Sequence, residues 1–336
     1  MRRMRSAALA ALGVAVVLAL AGCSVTPSTP SDFSLVQYPA AGFTGLYAQT
    51  AAARKSIDME MYELQDPLEI AALIAARRRG VVVRVLLDSA FEVRVTNTPA
   101  SAALKAGGVQ VRWAPGSTIF HIKTTTFDDV TSDISTANLT PQYYSMTRDA
   151  TIVDRYAVQV AAIESTFARD WNGDNPATDE TNAPGLLWSP DAESAMVKQI
   201  ASATTSVDFT SEELSDPYIY QALASDAQRG VRCRIVMMDE SEWAKAFGQV
   251  TAAGCVVHVL PETKAGLYIH EKVVLVDAGT TGASVLLGSQ NASYSSLSFN
   301  RELAIVLTQA QAPSILDSIA TTFNSDFASA QRWPTS

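Results

Sequence analysis

Apolar and polar residues alternate with period two over residues 56–62, as in a strand with one face on a core. Residues 67–79 switch to a helical period, with Leu68, Ala71, Ala72 and Ala75 expected on one face and Gly80 ending the helix. Residues 81–87 form an almost unbroken β-branched and aliphatic run, the pattern of a strand buried on both faces. A short helix is expected over 102–106 and a strand over 109–113. This order predicts an α/β fold with a mixed, largely buried sheet.

The pattern then repeats. Ser56-Ile57-Asp58 returns as Ser206-Val207-Asp208, Glu63-Leu64-Gln65-Asp66-Pro67 as Glu213-Leu214-Ser215-Asp216-Pro217, and Arg79-Gly80-Val81 as Arg229-Gly230-Val231, each at an offset of 150. Phe167 with Asp170-Trp171 resembles Phe323 with Asp326-Phe327 near the two ends. The expected division is a first lobe over 35–173, a polar linker over 174–185 that contains two prolines, and a second lobe over 186–330.

Residues 1–22 stand apart. Arg2, Arg3 and Arg5 precede an apolar stretch over 7–21 that is short for a membrane span. It ends in Leu20-Ala21-Gly22-Cys23, which resembles the lipobox of bacterial lipoproteins. The expectation is an exported chain, lipidated at Cys23 and tethered over 23–34 to a membrane face of the cell envelope. The chain has 336 residues, 48% hydrophobic and 18% charged, an ordinary globular balance. Three of the 25 basic residues lie before Cys23, leaving 22 against 34 acids and a balance of −12. A wide basic surface for nucleic acid is not expected from so acidic a chain.

The chemistry sits at matched places in each half. His121-Ile122-Lys123 is followed by Asp128, and His270-Glu271-Lys272 by Asp277, at an offset of 149. Residues i and i+2 of a strand share a face, so each His stands beside its Lys. An ammonium is a poor metal ligand, so the pair suits an anion: Lys neutralises charge while imidazole attacks or shuttles a proton. Asp128 and Asp277 are expected to be structural, at strand ends. Ser135-Thr136-Ala137-Asn138 pairs with Gly288-Ser289-Gln290-Asn291, offering hydroxyl and amide donors to phosphate oxygens. Arg148-Asp149 and Arg301-Glu302 follow each Asn by the same distance, and a carboxylate beside an imidazole fixes its tautomer.

Two His-x-Lys-x4-Asp motifs, each with its Asn and acid at matched distances, resemble the phospholipase D superfamily over most of the chain. The resemblance implies two tandem homologous α/β/α lobes packed about a pseudo-twofold axis, with one site between them. It implies His121 as nucleophile, forming a phosphohistidine, and His270 as the acid. Lys123, Lys272, Asn138, Asn291, Thr136 and Ser289 would hold phosphate, and Asp149 and Glu302 would orient His121 and His270. No metal or other cofactor is implied. One departure is that Ser135-Thr136 stands where the family has Gly-Ser.

The expected activity is hydrolysis, or alcohol exchange, of a glycerophospholipid by a monomer. The alternatives are an extracellular nuclease and a cardiolipin-synthase-like phosphatidyl transferase. Cys233 and Cys255 fall on core strands, where either free thiols or a disulfide is expected. The third histidine, His258, and the run Arg77-Arg78-Arg79 read as structural. Tyr143, Tyr144, Tyr294 and Phe299 flank the Asn elements and either line a lipid entrance or pack. Residues 89–100 and 292–299 are expected as the loops that choose substrate.

Overall fold

The computed structural model describes residues 27–90, 93–174, 181–263 and 266–334. The apolar N-terminal stretch and Cys23 lie outside the described residues. Among them, no helix is long and apolar enough to cross a membrane.

The first lobe runs β1 (Phe33–Tyr38), α1 (Thr44–Ala52), β2 (Ser56–Met61), α2 (Pro67–Arg78), β3 (Val82–Leu87), α3 (Val93–Ala106), β4 (Gln110–Trp113), β5 (Lys123–Phe127), β6 (Thr131–Ser135), β7 (Thr147–Asp154) and α4 (Ala157–Asn172). The second repeats the plan with β8 (Leu186–Ser189), α5 (Glu193–Ala201), β9 (Ser206–Thr210), α6 (Pro217–Gln228), β10 (Arg232–Met238), α7 (Ala244–Ala253), β11 (Val256–Leu260), β12 (Tyr268–Ile269), β13 (Val273–Val276), β14 (Ser284–Gly288), α8 (Tyr294–Ser298), β15 (Glu302–Thr308), α9 (Pro313–Ser329) and β16 (Gln331–Arg332). The first sheet has the order β1-β7-β6-β5-β2-β3-β4, and the second β16-β11-β10-β9-β13-β14-β15-β8. In each, a parallel trio (β2-β3-β4 and β9-β10-β11) joins an antiparallel flank, so both sheets are mixed. The two-lobed α/β architecture is the one expected.

Local chemistry explains the repeated elements. Asp66 and Asp216 each accept two backbone N–H groups at the start of a helix, and proline follows at the first helical position. Asp128 and Asp277, both with positive φ, accept the backbone N–H groups of residues 54–56 and 204–206. They pin the ends of β5 and β13 to β2 and β9. Gly288 faces Ala304 across the ladder, and an added Cβ would stand 2.3 Å from the Ala304 Cα. At the matching place in the first lobe, Ser135 faces Thr151, whose hydroxyl donates to the Ser135 oxygen at 2.8 Å. A polar pair thus replaces a close backbone approach, and the missing glycine leaves the element intact.

Four expectations need correction. The helix over 67–78 buries Glu69, Leu73 and Ala76, whereas Leu68 is 62% exposed. The face is rotated because Glu69 accepts the buried Thr50 hydroxyl at 2.7 Å. Residues 93–100 are helical rather than loop, and the same helix reaches Ala106. Residues 294–298 likewise form a short helix. The tether ends two residues early, because Phe33 and Ser34 belong to β1 and Phe33 is buried.

The lobes share one apolar core in which Ile122, Ile134 and Ile152 pack with Leu287, Leu303 and Ile305. Two bidentate ion pairs cross the same interface. Arg148 binds Asp326 on α9 at 2.7 and 2.8 Å, and Arg301 binds Asp170 on α4 at 2.8 and 2.9 Å. His258 is structural, stacked on Phe327 with Nδ1 at 2.7 Å from its carbonyl oxygen. Arg77 and Arg79 bond to backbone carbonyls beside the end of α2.

A disulfide joins Cys233 on β10 to Cys255 just before β11, 22 positions apart. Closing a loop of that length should stabilise the fold by about 3 kcal/mol through the unfolded chain. Calorimetry with and without reductant should show the corresponding fall in Tm, with the transition unchanged in a Cys233→Ala/Cys255→Ala variant. An unchanged Tm on reduction of the native protein would contradict it.

Candidate active site

The two histidines are brought together by backbone pairing between lobes. β12, which leads into His270, lies parallel to β7, and His270 N–H donates to Arg148 O at 3.1 Å. Reciprocally, Arg301 N–H donates to Ile119 O at 2.8 Å, beside a bridge between Phe120 and Arg301. Each His-x-Lys segment is therefore clipped to the strand that carries the other lobe's acid.

The acids consequently cross over. His121 Nδ1 lies 2.9 Å from Glu302 Oε2, and His270 Nδ1 lies 2.8 Å from Asp149 Oδ1. An orienting acid from the same half, as the repeat suggests, is not what the fold provides. Each acid reaches the opposite lobe because it sits at the end of a strand running against the partner motif. Both carboxylates are buried, and each accepts further bonds: Glu302 from Ser296 and Asn300, Asp149 from Thr136 and Thr147. Burial alone would raise Glu302, but His121, Lys123 and Ser296 together hold it below the usual carboxylate range. Asp149 is held low in the same way, with His270, Lys272 and Thr136 outweighing its burial. An ionised carboxylate beside Nδ1 accepts an N–H bond there, so a neutral ring carries its proton on Nδ1 and its lone pair on Nε2.

Both histidines, with Asn138 and Asn291, line one cleft of about 1010 Å³. The lysines stand behind the histidines, 1% and 2% exposed, each donating to the backbone oxygen of its own lobe's histidine. Burial, and then the repulsion of Lys272, pushes Lys123 down to about 7. Burial, and then Lys123, also lowers His121 below its ordinary value. Thr136 and Ser289 do not face the cleft. Thr136 donates to Asp149 and accepts from Ala150 N–H, and Ser289 is bonded to both backbone groups of Leu303. They brace the acid strands rather than meeting a ligand: each sits one residue past the end of its own strand and is tied to the neighbouring strand that carries the acid. Among the flanking aromatics, Tyr143 and Tyr144 line the cleft. Tyr294 and Phe299 form an exposed edge-to-face pair, with Tyr294 on an adjoining side pocket.

One residue that motif spacing did not single out lies closest to the chemistry. Glu212 Oε2 is 3.0 Å from Lys272 Nζ, 3.3 Å from Asn291 Nδ2 and 3.4 Å from His270 Nε2. Its Oε1 accepts the Tyr268 hydroxyl at 2.6 Å. Burial would raise this carboxyl, yet Lys272 and His270 hold it well below the usual range. The counterpart of Glu212 at the offset of 150 is Tyr62, which meets the His121 ring edge-on at 4.6 Å and lies 4.9 Å from Lys123 Nζ. A signal was available: Tyr62 directly follows β2 and Glu212 lies two residues past β9, both at the carboxyl ends of parallel-paired strands, where open α/β sheets bind ligands.

A family model described as cardiolipin synthase, phospholipase D-like domain, matches residues 46–171 and 196–328. Cardiolipin synthase A of Yersinia pseudotuberculosis is 26% identical over 309 residues, covering 76% of this chain and 61% of that protein. A mitochondrial cardiolipin hydrolase of Xenopus laevis is 28% identical over 138 residues, covering 40% and 64%. This chain thus spans less than two thirds of the length of either relative. The phosphatidylserine synthase structure from Haemophilus influenzae superposes with a TM-score of 0.69 at 13% identity, covering 91% of this chain and 88% of that one. A polyphosphate kinase from Porphyromonas gingivalis gives a TM-score of 0.66 at 15% identity, over 88% of this chain and 50% of that one. At such identities the structural likeness speaks to the fold.

Proposed function

The chain belongs to the phospholipase D-like family, and from that premise we propose that it is a phospholipase D-type phosphodiesterase acting on glycerophospholipids through a phosphohistidine. The observation that carries this reading is the reciprocal pairing of His121 with Glu302 and His270 with Asp149 around one cleft. In the proposed reaction, His121 Nε2 attacks phosphorus and the bond to the leaving alcohol breaks. His270 gives its Nε2 proton to the departing oxygen. The ring of His121 becomes cationic in the intermediate, and Glu302 stabilises it. Neutral His270 then takes a proton from water, or from an acceptor alcohol, which attacks phosphorus and releases His121.

The two half-sites are unlike, and their difference supports this division of roles. Burial and Lys123 keep His121 neutral, as a nucleophile requires. The Glu212 carboxylate lies beside Nε2 of His270, where an acid must hold its proton. Asn138 and Asn291 are the neutral donors on the cleft wall, and the lysines supply positive charge from behind it. Anchoring at Cys23 to a membrane face remains part of the proposal, since it would keep the cleft near lipid.

A transferase like the cardiolipin synthases is the second reading, favoured by the family model. It differs only in whether water or an alcohol resolves the intermediate. Both are tested by incubating the protein with a dioleoyl phospholipid and EDTA, with and without a primary alcohol. Phosphatidic acid should form, with phosphatidyl alcohol beside it when alcohol is present. Plasmid DNA nicked while lipid stays intact would favour a nuclease and contradict the proposal.

A pH dependence follows. The kcat/KM of the free enzyme should fall as pH rises through about 7, because Lys123 loses its charge there. The acid limb should lie below the ordinary histidine value of 6.5, because His121 resists protonation. In Lys123→Arg the charge persists, so the alkaline limb should move upward. A limb that stays in place would remove Lys123 from this role.

A further inference from the structure

The two half-sites treat their lysines differently. In the second, Glu212 Oε2 lies 3.0 Å from Lys272 Nζ, 3.3 Å from Asn291 Nδ2 and 3.4 Å from His270 Nε2, while its Oε1 accepts the Tyr268 hydroxyl at 2.6 Å. In the first, the matching residue is Tyr62, a neutral ring whose centre is 4.9 Å from Lys123 Nζ. Lys272 is thus paired with a carboxylate of the chain itself, where Lys123 meets a ring. The three nitrogens around Glu212 Oε2 are the ones with which the second half-site would meet a non-bridging phosphate oxygen.

Glu212 is built both to hold that place and to leave it. Burial would raise its carboxyl, but Lys272, then His270 and Tyr268, hold it well below the usual range, so it sits there as an anion. Its side chain is 24% exposed against 2% for Lys272, so it can turn toward water while the lysine stays. Asn291 Nδ2 also bonds Glu213 Oε1 at 3.2 Å, which keeps the amide in place when Glu212 moves. Two anionic oxygens cannot occupy one set of donors, so Glu212 and a seated phosphate exclude each other.

We propose that Glu212 is a resident anion of the second half-site that competes with bound phosphate and drives out the phosphomonoester product. The inference rests on the phosphodiesterase reading above and assigns its release step. A phosphodiester carries one negative charge. Hydrolysis exchanges its alkoxy group for a hydroxyl that ionises near about pH 6, so at neutral pH the product carries most of a second charge. Repulsion by Glu212 therefore grows from substrate to product. As the product moves, the carboxylate retakes Lys272 and Asn291 and opposes rebinding. The same competition weakens substrate binding, so Glu212 raises KM along with the rate of release.

The test measures anion binding by isothermal titration calorimetry at constant ionic strength and about pH 6, where Lys123 keeps most of its charge. Sulfate serves as the doubly charged probe and dimethyl phosphate as the singly charged diester. Glu212→Gln should bind sulfate at least about tenfold more tightly than the native protein, and should gain less for dimethyl phosphate. A residue that only supports the fold would not separate the two anions by charge. Tyr268→Phe, which frees Glu212 Oε1, should move sulfate binding severalfold in the same direction and provides a second reading should the first variant fold poorly. In the phospholipid assay, inhibition by added dihexanoyl phosphatidic acid should set in at a correspondingly lower concentration in Glu212→Gln. Unchanged sulfate affinity in both variants, or unchanged inhibition by phosphatidic acid, while the native protein still cleaves phospholipid, would overturn the inference and leave the phosphodiesterase reading standing. Failure of the native protein on every phospholipid would overturn both.

Discussion

Asn in place of either His121 or His270 should lower phosphodiester turnover by at least about a thousandfold, the scale set when a member of a concerted catalytic set is removed. Asparagine keeps an amide N–H to offer Glu302 or Asp149, so the buried carboxylates retain a donor and the fold should survive. The loss in stability should stay near 1 kcal/mol, the net worth of one altered hydrogen bond. Chemical identity of the leaving group then separates the roles. A nitrophenolate departs without a proton, so His270→Asn should still release the first product from a nitrophenyl diester. His121→Asn should release none, because the attacking nitrogen is gone. Stopped-flow absorbance and a thermal melt on the same preparations check both statements. Either variant within about tenfold of the native rate would contradict the assignment.

Arg301→Ala should cost about 3–5 kcal/mol and lower Tm on the order of 10 °C, as when one partner of a buried ion pair is lost. Arg301 is fully buried, binds Asp170 through two nitrogens, and lies 5.3 Å from the centre of the Trp188 ring. Removing it strands Asp170 beside Glu60, whose carboxyl is already pushed well up by burial and by Asp170 itself. The residue also immediately precedes Glu302, so its loss should loosen the carboxylate that steadies His121. Activity should fall with stability. Arg148→Ala should cost less, because its side chain is 15% exposed where that of Arg301 is fully buried, so water can reach Asp326 and the neighbouring buried Glu271 when the guanidinium is gone. Calorimetry of the two variants side by side gives the order. A melt of Arg301→Ala within about 1 kcal/mol of the native protein would show that the clamp is not a stability device.

Much of this architecture is readable in the sequence, for physical reasons that differ by residue. The repeat at 150 exposed both lobes because each must rebuild the same caps and strands, as Asp66 and Asp216 do. The histidines were legible because His and Lys at i and i+2 recur with an Asn and an acid. The crossing of Glu302 to His121 was not, since spacing along a chain does not say which lobe a strand end will meet. Thr136 and Ser289 misled because a hydroxyl near an amide suits a phosphate and a carboxylate brace equally well. The helix starting at Val93 was hidden by β-branched residues and by Pro99. Tertiary bonds override that propensity: buried Asn97 accepts from Leu64 N–H at 2.9 Å and donates to Tyr62 O at 2.7 Å. Glu212 was hidden because the repeat breaks there, with Tyr62 in the other lobe. That break is what makes the two half-sites chemically unequal.

The most direct measurement is to trap the covalent intermediate. His270→Asn protein is mixed with a phosphodiester bearing a nitrophenolate leaving group, quenched in alkali, digested and mapped by mass spectrometry. One phosphoryl-ester adduct per chain is expected, on the peptide containing His121, and none in His121→Asn. An adduct on another residue, or none while nitrophenolate is still released, would contradict it.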